Sequence, residues 1–489
     1  MAVGFAKELP ACPRWQRRFL SSAEPRPRMV VAGSGVAGTS VAMHLARRGA
    51  QVTLVDPRPP LTATSQYSTE CYRDFFTDAP MVPYMSRSID IIEAIAGDEN
   101  VINLSRRGYC FFAASEEGKA ALEYFAETAS NLGAGEIRKH HSGSSYVKSP
   151  PHGFRHPDMH GFDLVYGAGI REIFPFVSPE ARVMLHARRC GWMDSVGLGR
   201  AMLQAAKSSD RGNARVVQGS IKGFSKSGDF VTSVQVALSE GGEASLDCDG
   251  FVNAAGAWTM AIDRLLQHDA PELPMKNELH VKVCLNDTDC IIPQDDAPFM
   301  VWRDPTPLDW DDDTREGLAE LDDTAEGGII NSANWLKPQP GGQHLRPAGN
   351  GRVLLLWEHL HRHIALPDEP AMPIAETLDM YPELCLAGLA ALVPKLHGYE
   401  GRLSKDTTVD GGYYTVTPDG RPLVGQHGAR NAFVCGGMGT YGLMGAPAAG
   451  ELAAMHVFNE ELPSYAPACT WPRLEPLEGK PVDLLDASE

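Results

Sequence analysis

The stretch "MVVAGSGVAGTSVAMHLARRGAQVTLVDPR", residues 29–58, constrains this chain more than any other. A short apolar run leads into Gly33, Gly35 and Gly38, spaced as G-x-G-x-x-G. The pattern predicts a strand over 28–33, a turn, a helix over 36–48 and a second strand over 51–55. Val41 and Leu45 share one helix face, and Gly49 comes next as a C-terminal stop. Gly33 permits a tight turn, Gly35 lets backbone approach a pyrophosphate, and Gly38 lets helix and strand pack closely. Val36 and Ala37 open the helix, whose free N–H groups suit phosphates. Asp56 stands about twenty residues on, where a carboxylate accepts hydrogen bonds from ribose hydroxyls and disfavours a 2′-phosphate. These features imply a dinucleotide site, with NADP the least favoured occupant.

Bulk properties narrow the partners. The 489 residues suffice for two or three domains. A formal net charge of −18 argues against a nucleic-acid partner. Ten cysteines at scattered spacings, with no C-x-x-C, suggest reduced thiols rather than a zinc site or a disulfide framework. The uncharged run over 29–46 approaches the length of a membrane span, but its glycines, serines and threonine form the cofactor motif, and no transmembrane segment is expected. Residues 1–28 carry Lys7, Arg14, Arg17, Arg18, Arg26 and Arg28 against only Glu8 and Glu24. They are either an organellar transit peptide, mitochondrial or plastid, or a solvated extension of a cytoplasmic protein.

The segment after Asp56 separates FAD from NAD. A nicotinamide domain would continue as βαβ, whereas "PRPPLTATSQYSTECYRDFF" is a polar loop. Thr64, Ser65, Ser68 and Thr69 offer hydroxyls and Arg73 a cation to a cofactor extending past its pyrophosphate. Further on, "GNARVVQGSIKGF" (212–224) predicts a strand after a helix over 198–206. "DGFVNAAGAWTMAI" (249–262) predicts a strand running into small residues and a helix. Residues 417–457 predict a turn, a strand and a glycine-rich loop opening a helix.

With "VVAGSGVAGTS" at the front, "FVNAAGAW" in the middle, and "TPDGRPLVG" and "GGMGTYGLMGAPAAGELAA" at the end, the chain resembles the D-amino-acid-oxidase-type superfamily of FAD oxidoreductases. That superfamily includes glycine oxidase, sarcosine oxidases and dimethylglycine dehydrogenase. "STECYR", "GGQHLRPAGNG" and "DGGYYTVT" resemble a less characterised branch. The resemblance implies an α/β fold with two domains. A Rossmann-like FAD-binding domain of the GR2 type would be assembled from 29–85, 160–265 and 400–460. A substrate domain with a large, mostly antiparallel sheet would come from 86–159 and 266–399, and 461–489 would form a tail.

Residue by residue, the resemblance puts the pyrophosphate at Gly33, Gly35, Val36, Ala37 and Gly38, the ribose at Asp56, and the next loop at Ser65 and Ser68. It puts adenine at the backbone N–H and C=O of Val217, a close cofactor approach at Ala255 and Gly256, and the flavin ring at Gly437, Gly439, Gly442 and Leu443. Candidate catalytic residues are Arg346, for a substrate carboxylate or an interdomain ion pair, Tyr414, on the strand that meets the flavin, and Arg73. Gly412 stands where monomeric sarcosine oxidases carry a flavin-linked cysteine, and the segment after Asp56 lacks the tethering histidine of dimethylglycine dehydrogenases. Non-covalent FAD is therefore expected. Met444 replaces the late-loop lysine of sarcosine oxidases, which argues against sarcosine.

The activity implied is oxidation of a C–N bond in an amino acid or secondary amine, with hydride passing to flavin N5 and electrons going on to oxygen or another carrier. The alternative is a flavoprotein that mainly binds or assembles a complex in an organelle. His359, His361 and His363 alternate along the chain, but nothing else in the sequence supports a metal. The acidic insert over 304–323 is expected to be a solvated loop and helix on the substrate domain.

Overall fold

The computed structural model describes residues 26–156, 159–310, 312, 313, 315, 316, 336–361, 369–374 and 380–473. The N-terminal extension before 26, the side chains of the histidine triplet, residues 311, 314 and 317–323 of the acidic insert and the tail after 473 lie outside the described residues.

The opening motif folds as expected: strand Arg28–Ala32, helix Val36–Arg47 and strand Gln51–Asp56. Met29–Ala32 is buried throughout because the strand lies inside a parallel sheet covered on both faces. That sheet has eight strands. Five are mutually parallel, in the order Asn213–Ser227, Gln51–Asp56, Arg28–Ala32, Gly250–Asn253 and Ala432–Gly436. Phe230–Leu238 and Glu243–Asp247 extend one edge antiparallel, and Leu423–Gln426 closes the other. Helices Val36–Arg47, Met81–Ala96, Ser195–Lys207 and Gly442–Phe458 share one apolar core on one face. A Cβ at Gly450 would lie 2.2 Å from Ser40 Oγ, so glycine sets how closely the first and last of these helices approach.

The second sheet has nine strands, in the order Thr408–Val416, Lys276–Asn286, Arg352–Leu356, His344–Gly349, Phe299–Trp302, Tyr109–Ala113, Val183–Ala187, Phe162–Tyr166 and Ile137–His140. It is antiparallel except where Phe299–Trp302 meets Tyr109–Ala113 and where Ile137–His140 meets Phe162–Tyr166. Alternation divides its side chains between two cores. Cys110 and Phe112 enter one, with helix Tyr381–Ala390, while Tyr109, Phe111 and Ala113 enter the other, with helix Glu116–Ala129.

Sheet membership corrects the expected domain segments. Phe162–Tyr166 and Val183–Ala187, inside the stretch assigned to the cofactor domain, pair in the nine-stranded sheet, and so does Thr408–Val416. Each pairs with a strand distant in sequence or across a loop, and local pattern cannot specify such pairing. The segment after Asp56 does leave the eight-stranded sheet, and its Cys71–Arg73 pairs with Cys190–Trp192 in a separate two-stranded ribbon.

Candidate active site

A cleft of about 800 Å³ runs from the glycine motif, past the small residues after Asn253, to the nine-stranded sheet. Its first wall is built from backbone. Gly33 adopts φ +92°, and a Cβ there would lie 2.4 Å from the Ala254 carbonyl oxygen. A Cβ at Gly38 would lie 2.1 Å from the Gly33 carbonyl oxygen, so Gly38 serves the turn and does not line the cleft. Gly35, Val36 and Ala37 do line it, at the N-terminus of the first helix. Asp56 is fixed at the end of its strand by N–H groups of Ser34 (2.8 Å) and Arg58 (3.0 Å) and by the Ser34 hydroxyl (3.1 Å). Ser65 Oγ accepts from Val36 N–H at 3.0 Å, which docks the loop after Asp56 onto the helix N-terminus. Ser68 also lines the cleft and accepts from Glu70 N–H at 2.9 Å.

Ala255 and Gly256 line the cleft where strand Gly250–Asn253 ends. Gly437, Gly439, Gly442 and Leu443 line it where the late loop opens helix Gly442–Phe458. Gly437 and Gly439 take φ of +63° and +51°. Such a 17-residue helix directs its positive end into the cleft. The cradle therefore fits FAD on its own geometry: glycines where a Cβ would intrude, a fixed carboxylate, and two helix N-termini.

The strand of Val217 pairs with Gln51–Asp56 as expected; the Val217 side chain packs with the apolar cluster behind the sheet, and the neighbouring Gly219, Ser220, Ile221 and Lys222 line the cleft.

At the far end, Tyr109 and Phe299 stack with centroids 4.2 Å apart, and His344 lies 5.0 Å from Phe299. All three line the cleft. His344 is buried, and burial lowers its pKa. Its Nδ1 is 2.8 Å from the Gly342 carbonyl, which can only accept, so Nδ1 carries the proton and Nε2 keeps its lone pair. Tyr414 stacks on His280 at 4.0 Å, and burial raises its phenol pKa. Arg73, 1% exposed, faces Phe76 at 4.5 Å and lines the cleft. Beside it, burial pushes the Asp74 carboxyl up to about 7, against the opposing charges of Arg189 and Arg106.

Arg346 is not among the lining residues. Its Nε donates to the Thr69 carbonyl (3.0 Å) and its Nη2 to Glu70 (2.9 Å), with the guanidinium 5.4 Å from the Trp192 ring. This is the ion-pair alternative, not a free carboxylate clamp. His344 lies inside "GGQHLRPAGNG", where nothing local marks it as functional. Strand alternation from Arg346 points to it, since Leu345 enters the core and its neighbours face the other way. Tyr109 and Phe299 had no such signal.

Asp263, His268 and His427 bring ligand-type atoms within 4.8 Å of one another. His268 Nδ1 accepts from Ala270 N–H (3.2 Å), so its Nε2 carries the proton and donates to Asp263 (3.1 Å). That leaves His268 no lone pair for a cation; it hydrogen-bonds Asp263 of helix Thr259–Leu266, and His427 Nε2 lies 3.3 Å from the same carboxylate.

A parallel sheet with a glycine-lined dinucleotide cradle, joined to a large antiparallel sheet across one cleft, defines a two-domain flavoprotein. A family model described as FAD dependent oxidoreductase (DAO) matches residues 28–309, more than half of the chain. The chain belongs to this family and is an FAD-dependent oxidoreductase. Similar solved structures include L-proline dehydrogenase from P. horikoshii (TM-score 0.63, 17% identity, covering 88% of this chain and 92% of that one). Glycine oxidase from Bacillus cereus ATCC 14579 superposes with TM-score 0.62 at 15% identity, covering 89% and 96%. Iminodiacetate oxidase from Chelativorans sp. BNC1 superposes with TM-score 0.59 at 18% identity, covering 93% and 99%. At these identities the likeness is one of fold. No curated protein sequence matches the chain.

Proposed function

We propose that the chain oxidises the C–N bond of an amino acid or secondary amine, with hydride transfer from the carbon beside nitrogen to the flavin and hydrolysis of the resulting imine by water. The observation that carries this reading is one continuous cleft. Its glycine-rich walls suit a dinucleotide, and its far end joins an aromatic wall to a neutral histidine. Bound FAD supplies the two-electron acceptor, and the protein supplies orientation and electrostatics.

Tyr109 and Phe299 form a flat apolar surface that aligns the substrate and excludes water. Nε2 of His344 accepts an N–H of the neutral amine and so orients the carbon beside nitrogen, the one that gives up hydride. Tyr414, kept protonated, donates a hydrogen bond, and Arg73 offers positive charge to an anionic substrate group. Gly412 packs on Thr64, where a Cβ would lie 2.9 Å from Thr64 Cγ2, and this supports non-covalent FAD. The proline, glycine and iminodiacetate enzymes of similar fold support the substrate class, since all three compounds carry an amine nitrogen.

The test is an anaerobic screen of amines and amino acids against the purified holoprotein. Bleaching of the oxidised flavin band by members of this class is the expected result. No bleaching by any of them overturns the reading in favour of a binding or assembly role, and release of FAD on denaturation in trichloroacetic acid checks the non-covalent attachment.

A further inference from the structure

The loop 61–70 carries the serines that face the cofactor cradle, and both of its ends are strained. Leu61 (φ 69°) and Glu70 (φ 66°) occupy the left-handed region without being glycine. Non-glycine residues hold that conformation only when their surroundings impose it. For Leu61 the constraint is packing: its buried side chain sits against Gly199, where a Cβ would be 2.3 Å from Leu61 Cδ2. Glu70 is held by polar contacts. Its N–H donates to Ser68 Oγ (2.9 Å), its carbonyl accepts from Met193 N–H (3.0 Å), and its carboxylate takes Arg346 Nη2 (2.9 Å) and Ser195 N–H (3.4 Å).

Arg346 belongs to the nine-stranded sheet, so this contact crosses between the two halves of the molecule. It grips two successive residues, the Thr69 carbonyl and the Glu70 carboxylate, at the strained position. The same sheet also holds the loop through Lys282 Nζ on the Tyr67 carbonyl (2.8 Å) and through the Tyr413 carbonyl, which accepts from Thr64 Oγ1 (3.4 Å). Immediately after Glu70, Cys71 and Arg73 line the cleft.

We propose that Arg346 and Glu70 form a latch by which the substrate-side sheet holds the cofactor loop in its FAD-binding conformation. Both are positioning residues, acting through Ser65, Ser68 and Arg73 without touching the reacting atoms. The latch sets the strained turn, so the substrate side of the molecule contributes to FAD affinity. This rests on FAD occupying the cleft and not on which amine is oxidised, so a failed substrate screen leaves it standing.

The test uses the purified holoprotein and measures the FAD dissociation constant and the visible circular dichroism of bound flavin. Arg346→Gln should weaken FAD binding by roughly tenfold, the scale of coupled neighbouring groups, and change the dichroism. Adding Glu70→Gly, which removes the backbone strain, should recover most of the affinity. Adding Glu70→Gln, which removes the charge but keeps the strain, should not. Arg346→Lys, with an intermediate loss expected, carries the same comparison where Arg346→Gln does not fold. Unchanged affinity and dichroism in the arginine variants overturn the latch, as does equal rescue by the two Glu70 substitutions.

Discussion

At the scale of single residues, three side-chain positions give separable tests. Gly38 and Gly35 belong to one motif but do different work. A methyl at Gly38 meets a carbonyl oxygen within the turn, so Gly38→Ala should cost about 2–3 kcal/mol of fold stability by overpacking, read from denaturant melts. A methyl at Gly35 meets Ser65 Oγ at 3.1 Å, so Gly35→Ala should leave the apoprotein melt nearly unchanged. Its effect should be on FAD affinity, weakened roughly tenfold by the disturbed Ser65 bond. His344→Ala should retain FAD and slow anaerobic flavin reduction by about 100-fold, the scale of a substrate left misplaced over the flavin. A rate like that of the parent would remove His344 from the mechanism.

Asp74 gives the pH dependence. Burial pushes its carboxyl up to about 7, whereas the unfolded chain titrates near 4. The fold favours the neutral acid, so this group's contribution to stability is complete below about pH 4 and is lost as pH rises through about 7. Asp74→Asn should flatten the melt across that interval and gain about 1 kcal/mol at alkaline pH. A variant less stable than the parent at alkaline pH would show that the ionised carboxylate is needed beside Arg189.

At the scale of elements, one carboxylate ties together the outer strands of the nine-stranded sheet. Asp163, on Phe162–Tyr166, accepts from Arg138 Nε and Nη2 at 2.8 Å each, from Arg188, and contacts His140 at 2.8 Å. Burial alone would raise its pKa, but the two guanidinium groups outweigh burial and lower it well below the usual range. The stability it contributes is therefore present above about pH 4 and lost as pH falls further. Asp163→Ala strands buried Arg188 without its charge partner and should cost about 3–5 kcal/mol, seen as a lower denaturant midpoint. The same edge explains why the expected domain segments missed. "FDLVY" and "VMLHA" are short apolar runs that suit either sheet, and only the bonds they make across the chain assign them.

At the scale of the whole molecule, the cleft joins both sheets, so cofactor and fold are thermodynamically linked. FAD binds the native state alone, and at 100 times its dissociation constant it should add about 2.7 kcal/mol. Melting temperature should climb with the logarithm of FAD concentration, and a melt independent of FAD would contradict the glycine-lined cradle. Among the described residues no helix is long and apolar enough to cross a membrane.

Local order along the chain determined the cofactor half of this protein. Strand, glycine turn, helix, strand and acid are consecutive, and the approach of Gly38 to Gly33 and the bonds of Ser34 to Asp56 lie within one βαβ unit. Gly437 and Gly439 of the late loop were legible for the same reason, because a positive φ restricts the residue type where it occurs. The far end of the cleft was decided only by tertiary structure. Tyr109, Phe299, His344 and Tyr414 sit on four strands far apart along the chain, and they line one cleft because a nine-stranded sheet gathers those strands. Arg346 shows the limit most clearly. Its sequence neighbourhood allowed a substrate clamp or an ion pair, and the choice fell to Glu70, 276 positions away, whose strained turn brings its carboxylate within reach of the guanidinium.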